Sequence, residues 1–77
     1  MKVTVLYFAG LRESLGKARD EVFCDHPITA EQAWVMATGR DEMPDNVLIA
    51  INQDYVKADA VLADGDELAF FPPVTGG

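Results

Sequence analysis

The sequence predicts an α+β fold, in which one main helix packs on one face of a mixed β-sheet of four to five strands. Stretches rich in β-branched and aromatic residues occur near both ends and after the middle of the chain, as strands require. A single stretch between them has apolar residues at helical spacing. With 77 residues, the chain is long enough for one small core and therefore for one domain.

Two strands are predicted before the main helix. Residues 2–9, KVTVLYFA, are mostly β-branched or aromatic and predict the first strand. Residues 11–15 lie between two glycines and predict only a single helical turn. Residues 21–25, EVFCD, predict a short second strand.

The main helix is predicted from its capping residues and its apolar spacing. Thr29 can cap the N-terminus, and Gln32 can complete a capping box three residues later. Gly39 suits the left-handed conformation that commonly ends a helix. Apolar residues recur on one helical face, and we expect Trp34 and Met36 to lie in the core.

Three further strands are predicted after the helix. Residues 47–52, VLIAIN, predict a strand inside the sheet, and residues 54–59, DYVKAD, predict a short strand after a turn. The Asp64-Gly65 pair is a turn signal, and the strand that follows it ends at Pro72.

One helix can cover only one face of this sheet. If Tyr7 and Phe70 point toward the helix, the alternation of strand side chains leaves an apolar group on the other face. This group consists of Leu6, Phe8, Ala69 and Phe71. An uncovered apolar surface of this kind indicates a protein interface.

The charge balance indicates which partners to expect. Thirteen acidic and six basic residues give a net charge of -7, which repels nucleic acid phosphates and anionic lipid surfaces. We therefore expect no nucleic acid and no membrane partner. The same negative field would steer the chain toward a basic protein surface.

The sequence also predicts a cytoplasmic protein without a metal site. No apolar run approaches the roughly 18 residues of a membrane span, and no basic, apolar leader follows Met1. Cys24 is the only cysteine, which excludes an internal disulfide and fits a reducing compartment. We interpret Cys24 as a half-buried apolar residue, His26 as an ordinary loop residue and the DGDE stretch at 64–67 as a solvated turn.

The ending FFPPVTGG predicts a projecting tail. Pro72 and Pro73 cannot donate strand hydrogen bonds and favour an extended path, so we divide the chain into a domain at 1–72 and an extended tail at 73–77. Such a tail could reach roughly 20 Å. Its glycine tip would offer only a carboxylate, which needs activation before a nucleophile can attack. The alternative is an inert chain end.

The stretches VLYFAGLRE, AINQ, DGDEL and FFPPVTGG resemble the small, sulfur-carrying subunit of molybdopterin synthase, a family of ubiquitin-like β-grasp proteins. The resemblance implies that a partner enzyme uses ATP to adenylate Gly77, which then becomes a thiocarboxylate. It also implies that the large synthase subunit receives the tail and passes its sulfur to cyclic pyranopterin monophosphate. The family assembles as a heterotetramer of two small and two large subunits.

The resemblance assigns roles to particular residues. The tail that enters the partner is Pro73, Val74, Thr75, Gly76 and Gly77, and the residues that contact partners are Phe8, Arg12, Tyr55 and Phe71. The sequence contains no glycine-rich phosphate loop and no clustered Lys or Arg pocket. We therefore expect no bound cofactor, with ATP used by the activating partner, and no catalysis by this chain alone.

Two alternatives to this function remain open. A carrier with the same fold and thiocarboxylate could supply sulfur to thiamine, cysteine or tRNA, or could attach its tail to lysines as a protein modifier. A ubiquitin-like interaction protein could use the apolar face while its glycines stay inert. The FFPPVT stretch before the glycines favours the molybdopterin function.

Overall fold

A mixed sheet of five strands forms the framework of the protein. The computed structural model describes residues 1–41, 43–44 and 46–72. The elements in chain order are β1 (Lys2–Tyr7), α1 (Ala9–Leu15), β2 (Arg19–Phe23), α2 (Ala30–Thr38), β3 (Leu48–Ile51), β4 (Asp54–Val56) and β5 (Glu67–Phe71). The predicted α+β class, with a mixed sheet and one main helix, is confirmed.

The strands lie in the order β2-β1-β5-β3-β4. The central pair, β1 and β5, is parallel, with Tyr7 opposite Phe70. The other three pairs are antiparallel. The first and last strands of the chain are therefore neighbours, and their C-terminal ends lie at the same edge of the sheet.

An aromatic cluster joins α2 to the central strands. Trp34 is fully buried, and its ring centroid lies 4.9 Å from that of Phe70 and 6.5 Å from that of Tyr7, both in edge-on geometry. Such edge-to-face contacts add to the free energy of burying the rings. The predicted inward orientation of alternate residues on β1 and β5 is confirmed, since Val3, Val5, Tyr7, Leu68 and Phe70 are all buried.

The ends of α2 have the predicted caps. The Gln32 N–H donates to Thr29 Oγ1 at 3.1 Å, and the Thr29 N–H donates to Gln32 Oε1 at 2.8 Å. At the other end, Gly39 has a φ of 73°, which costs little in a residue without a Cβ. The capping box and the glycine therefore fix where the helix begins and ends.

The turn between β3 and β4 is tied to the start of β5. Asn52 and Gln53 have φ values of 50° and 74°, as a two-residue type I′ turn requires. Asn52 Nδ2 donates to Asp66 Oδ1 at 2.9 Å, and Asn52 Oδ1 accepts from the Glu67 N–H at 3.0 Å. The Asn52 N–H in turn donates to the Glu67 carbonyl at 2.8 Å. These bonds hold Gln53 and Glu67 in fixed positions.

The region after β1 differs from the prediction. The strand ends at Tyr7, and Phe8 is the N-cap residue of α1. The predicted single turn is a seven-residue helix. Leu11 and Leu15 lie one turn apart and both pack against the core, so tertiary contacts override the low helix propensity of Gly10.

Three other predictions were wrong in detail. β2 begins two residues before the predicted start, because Arg19 and Asp20 pair with β1 and an edge strand tolerates charged residues. β4 ends at Val56, short of the predicted position 59. Met36 is 51% exposed, because two residues along a helix rotate a side chain by about 200° from Trp34.

A polar network connects β1, β2 and the end of α2. Tyr7 Oη donates to Asp20 Oδ2 at 3.1 Å, and Lys17 forms an ion pair with the same carboxylate. Lys17 Nζ also donates to the Ala37 carbonyl at 2.8 Å. Burial, reinforced by the Asp20 carboxylate, raises the pKa of the Tyr7 phenol above its usual range.

This network predicts a loss of stability at alkaline pH. Because the folded-state pKa of Tyr7 is raised, ionisation above the unfolded pKa of about 10 favours the unfolded chain. Tyr7→Phe should lower the free energy of unfolding by about 1–2 kcal/mol at pH 7 and should flatten its decline above pH 10. Urea denaturation between pH 7 and pH 11 measures both effects.

Tyr55→Phe is the matched control, since it removes the hydroxyl of a side chain that is 74% exposed. This variant should keep the wild-type decline with pH. If Tyr7→Phe and wild type lose stability equally above pH 10, the Tyr7 phenol does not control the alkaline response.

Candidate functional site

One half of the open sheet face is apolar. We define the apolar patch as Leu6, Phe8, Leu48, Ala50, Tyr55, Ala69 and Phe71. Although these side chains are apolar, Phe8 is 39% and Tyr55 is 74% exposed. Exposed apolar side chains grouped around two small, buried alanines indicate an interaction site.

Three aromatic rings form the outer part of the patch. The rings of Phe8 and Phe71 stack at 4.7 Å between centroids, with 9° between their planes. The Tyr55 ring lies 6.3 Å from that of Phe71 at an angle of 55°. Rigid aromatic side chains lose little conformational entropy when a partner covers them, and they are common binding hot spots.

The parallel pairing of β1 and β5 places Phe8 beside Phe71. Both residues stand at the C-terminal ends of these strands, and the Phe8 N–H donates to the Phe70 carbonyl at 3.2 Å. The start of α1 then turns the chain away from the sheet. A backbone hydrogen bond therefore holds the two segments together, and the rings stack on each other.

A shallow groove of about 230 Å³ runs across the patch. Its floor is made by Ala50 and Ala69, which lie directly opposite each other on β3 and β5. Leu6 and the three aromatic side chains line its walls, and Gln53 and Glu67 lie at its polar end. Two small residues on adjacent strands are what allow a groove to form between the larger side chains.

The four residues predicted for the open face all line this groove, as does Tyr55. Their contact with a partner stays a prediction. Sequence reasoning missed Leu48 and Ala50, because VLIAIN was interpreted as a strand inside the sheet. Strand alternation was the available signal, since Ile49 between them points into the core.

Arg12 lies on α1, outside the groove. Its side chain is exposed and begins one helical turn after Phe8. Among the described residues it forms no ion pair. The position is compatible with the predicted contact to a partner, which stays a prediction.

The chain leaves the sheet at the edge where the patch lies. Phe71 is the last residue of β5, and Pro72 is the next. The predicted tail, Pro73 to Gly77, lies outside the described residues. Its extended path, the roles of Pro73, Val74, Thr75, Gly76 and Gly77, and the domain boundary at residue 72 therefore stay predictions.

Cys24 and the aspartates of the DGDE stretch take part in hydrogen bonds that support the fold. Cys24 is half-buried, and its carbonyl accepts from the Met1 ammonium at 2.7 Å. Asp64 and Asp66 accept backbone N–H bonds of 2.8 Å from Lys2 and Ala63, so these carboxylates organise the turn before β5.

Two other kinds of site can be assessed over the same residues. Between residues 1 and 72, leaving aside positions 42 and 45, no three His, Cys, Asp or Glu side chains are grouped to hold a metal ion. Neither helix in that part of the chain has the length and apolar run that crossing a bilayer would need.

The sequence is similar to that of known proteins over nearly its whole length. The ThiS family matches residues 5–77. The molybdopterin synthase sulfur carrier subunit of Escherichia coli (strain K12) is 42% identical over 80 residues, which cover 97% of this chain and 99% of that protein.

Two crystal structures from Haloferax volcanii have similar folds. SAMP1 has a TM-score of 0.81 and 30% identity, with 100% of both chains covered. The structure of small archaeal modifier protein 1 has a TM-score of 0.80 and 28% identity, covering 95% of this chain and 98% of that one.

Proposed function

The chain belongs to the ThiS family, and from this premise we propose how it works as the sulfur carrier subunit of molybdopterin synthase. The predicted ubiquitin-like β-grasp fold is confirmed. The chain is a sulfur carrier in molybdenum cofactor biosynthesis, and its partner is the large subunit of the synthase. The proposal concerns the chemistry at Gly77 and the surface that delivers it.

The observation that carries the proposal is the position of the patch next to the chain exit. Phe71 belongs to the patch and also ends β5, and Pro72 follows it directly. A large subunit that covers the patch is therefore adjacent to the start of the tail. Docking would supply the free energy that places the tip, as required for a high effective concentration of the reacting group.

The proposed chemistry takes place at the Gly77 carboxylate. An activating enzyme joins this carboxylate to the AMP part of ATP, with pyrophosphate as the leaving group. A persulfide of a sulfur donor then attacks the acyl carbon and displaces AMP, which gives an acyl disulfide. A thiol cleaves the sulfur–sulfur bond of this adduct, so that the glycine keeps one sulfur as a thiocarboxylate and the donor leaves as a disulfide. In the synthase, the thiocarboxylate sulfur attacks a carbon of cyclic pyranopterin monophosphate and displaces an oxygen substituent, which forms a thioester. Hydrolysis of the acyl–sulfur bond returns the Gly77 carboxylate and leaves the sulfur on the pterin.

In this proposal, catalysis and cofactor binding belong to the partners. The sequence lacks a glycine-rich phosphate loop and a basic pocket, so ATP would bind to the activating enzyme and the pterin to the large subunit. The chain is then not catalytic alone. The heterotetramer, like the cytoplasmic location, stays a prediction.

Charge supports recognition by a basic partner. The net charge of -7 would speed association with a positively charged surface, most strongly at low salt. An anionic pterin would be repelled by this negative charge, which supports the proposal that the pterin binds to the partner.

A second candidate function is protein modification. It is favoured by the similarity to small archaeal modifier protein 1. In that case the activated Gly77 would form an isopeptide bond with a lysine amine, and AMP would leave. The two functions differ in product, since one gives a thiocarboxylate and the other a conjugate of higher mass.

The patch should be a binding hot spot with little effect on folding. Phe71→Ala should weaken binding to the large subunit by about 2 kcal/mol or more, because it removes a rigid ring that contacts both other aromatic rings of the patch. The melting temperature should change little, since Phe71 is only partly buried. Calorimetric titration and thermal denaturation measure the two quantities.

Phe23→Ala is the matched control for this variant. Phe23 is 66% exposed but pairs with Lys2 at the opposite end of β1, so its truncation should leave binding unchanged. If Phe71→Ala lowers stability as much as affinity, or if both variants bind alike, the patch is not the docking surface.

The tip should acquire sulfur when it is activated. After incubation with the activating enzyme, ATP and a sulfur donor, the intact mass of the chain should rise by about 16 Da as one oxygen is replaced by sulfur. Deletion of Gly77 should abolish both this shift and molybdopterin formation. An unchanged mass in wild type, or sulfur transfer by the deleted variant, would contradict the proposed chemistry.

A further inference from the structure

Among the residues that the structure describes, Glu67 is the only charged one that lines the groove of the apolar patch. Its side chain is exposed and forms no ion pair with any cation in the described part of the chain. Its backbone is fixed, because both its N–H and its carbonyl bond to Asn52. A carboxylate carried on a fixed backbone therefore stands beside Gln53 at the polar end of a groove whose other lining residues are apolar or aromatic.

The size of the groove indicates what can occupy it. Its volume of about 230 Å³ lies below the range of about 300–1,000 Å³ that is usual for small-molecule pockets. Its floor is made by the small side chains of Ala50 and Ala69, which are only 4% and 8% exposed between the larger side chains that line the groove. Such a groove fits one long side chain from a protein that covers the patch.

The chemistry of the lining selects the kind of side chain. An apolar floor fits an aliphatic stem, and a carboxylate at its end fits a cationic head group. Arginine suits this arrangement better than lysine, because its planar guanidinium can pair with both oxygens of Glu67 and can lie against the Tyr55 ring. The negative net charge of the chain acts in the same direction.

We propose that the groove binds one arginine side chain of the large subunit. The stem lies over Ala50 and Ala69, and the guanidinium pairs with Glu67. This inference rests on the proposed function, since it assumes that the large subunit covers the patch.

The arginine would contribute mainly to partner selection. Covering the patch removes water from Glu67, and an unpaired carboxylate at that place would weaken the complex. A protein with a complementary apolar surface but no arginine at this point would therefore bind poorly. The groove thus discriminates among proteins that could otherwise cover the same rings.

The first test compares two isosteric substitutions. Glu67→Gln should weaken binding to the purified large subunit by about tenfold or more at low salt and should reduce the salt dependence of binding. Glu31→Gln removes the same charge from the helix-covered side and should change affinity less than about twofold. Equal melting temperatures of the two variants would show that the loss of affinity does not come from a loss of stability.

The second test identifies the partner residue. Each exposed arginine of the large subunit is replaced in turn by glutamate. Each resulting variant of the large subunit is then titrated with the wild-type chain and with Glu67→Arg. One charge-swapped pair should recover most of the lost affinity, whereas each single variant binds weakly. A large subunit with lysine in place of that arginine should bind the wild-type chain more weakly than the wild-type large subunit does, but more strongly than the glutamate variant.

Three outcomes would overturn the inference. These are equal affinities of Glu67→Gln and Glu31→Gln, the absence of any arginine that couples to Glu67, and coupling to a lysine instead. In each case the proposed function survives if Phe71→Ala still weakens binding and the wild-type tip still carries sulfur. If wild type does not bind the large subunit, the proposed function and this inference fail together.

Discussion

The parallel pairing of β1 and β5 is the constraint on which the rest of the structure depends. It joins the first and last strands at the centre of the sheet and brings Phe8 and Phe71 into a stack at one edge. The same pairing buries Tyr7 and Phe70 against Trp34 on the other face. One long-range contact therefore closes the core, builds the patch and sets the point where the chain leaves the sheet.

The division between the two sheet faces explains how a small domain can both fold and bind. One face is covered by α2 and carries the large buried rings. On the other face Phe8, Leu48 and Tyr55 stay exposed, since no helix or strand among the described residues covers them. Ala50 and Ala69 are buried, and their small size opens the groove between the rings. A partner can complete this face with apolar contacts, while Glu67 adds a requirement for positive charge.

Local signals made part of this structure predictable from sequence. The capping box of Thr29 and Gln32 and the left-handed Gly39 depend only on neighbouring residues, and strand alternation placed the open-face residues correctly. Features set by contacts between residues far apart in the sequence could not be predicted from local patterns. Arg19 enters a strand because β1 lies beside it, and α1 forms despite Gly10 because its leucines reach the core. The groove itself needed the register between β3 and β5, which no local pattern reveals.

The central claim is that docking of the patch on the large subunit positions the Gly77 tip for sulfur transfer, because the tail has a set length between them. Deleting Val74 and Thr75 tests this most directly, because it shortens the tail by about 7 Å and keeps the patch and both terminal glycines. Sulfur transfer from thiocarboxylated protein to the pterin should be lost, while affinity for the large subunit stays within about tenfold. Transfer at the wild-type rate by the shortened chain would contradict the account.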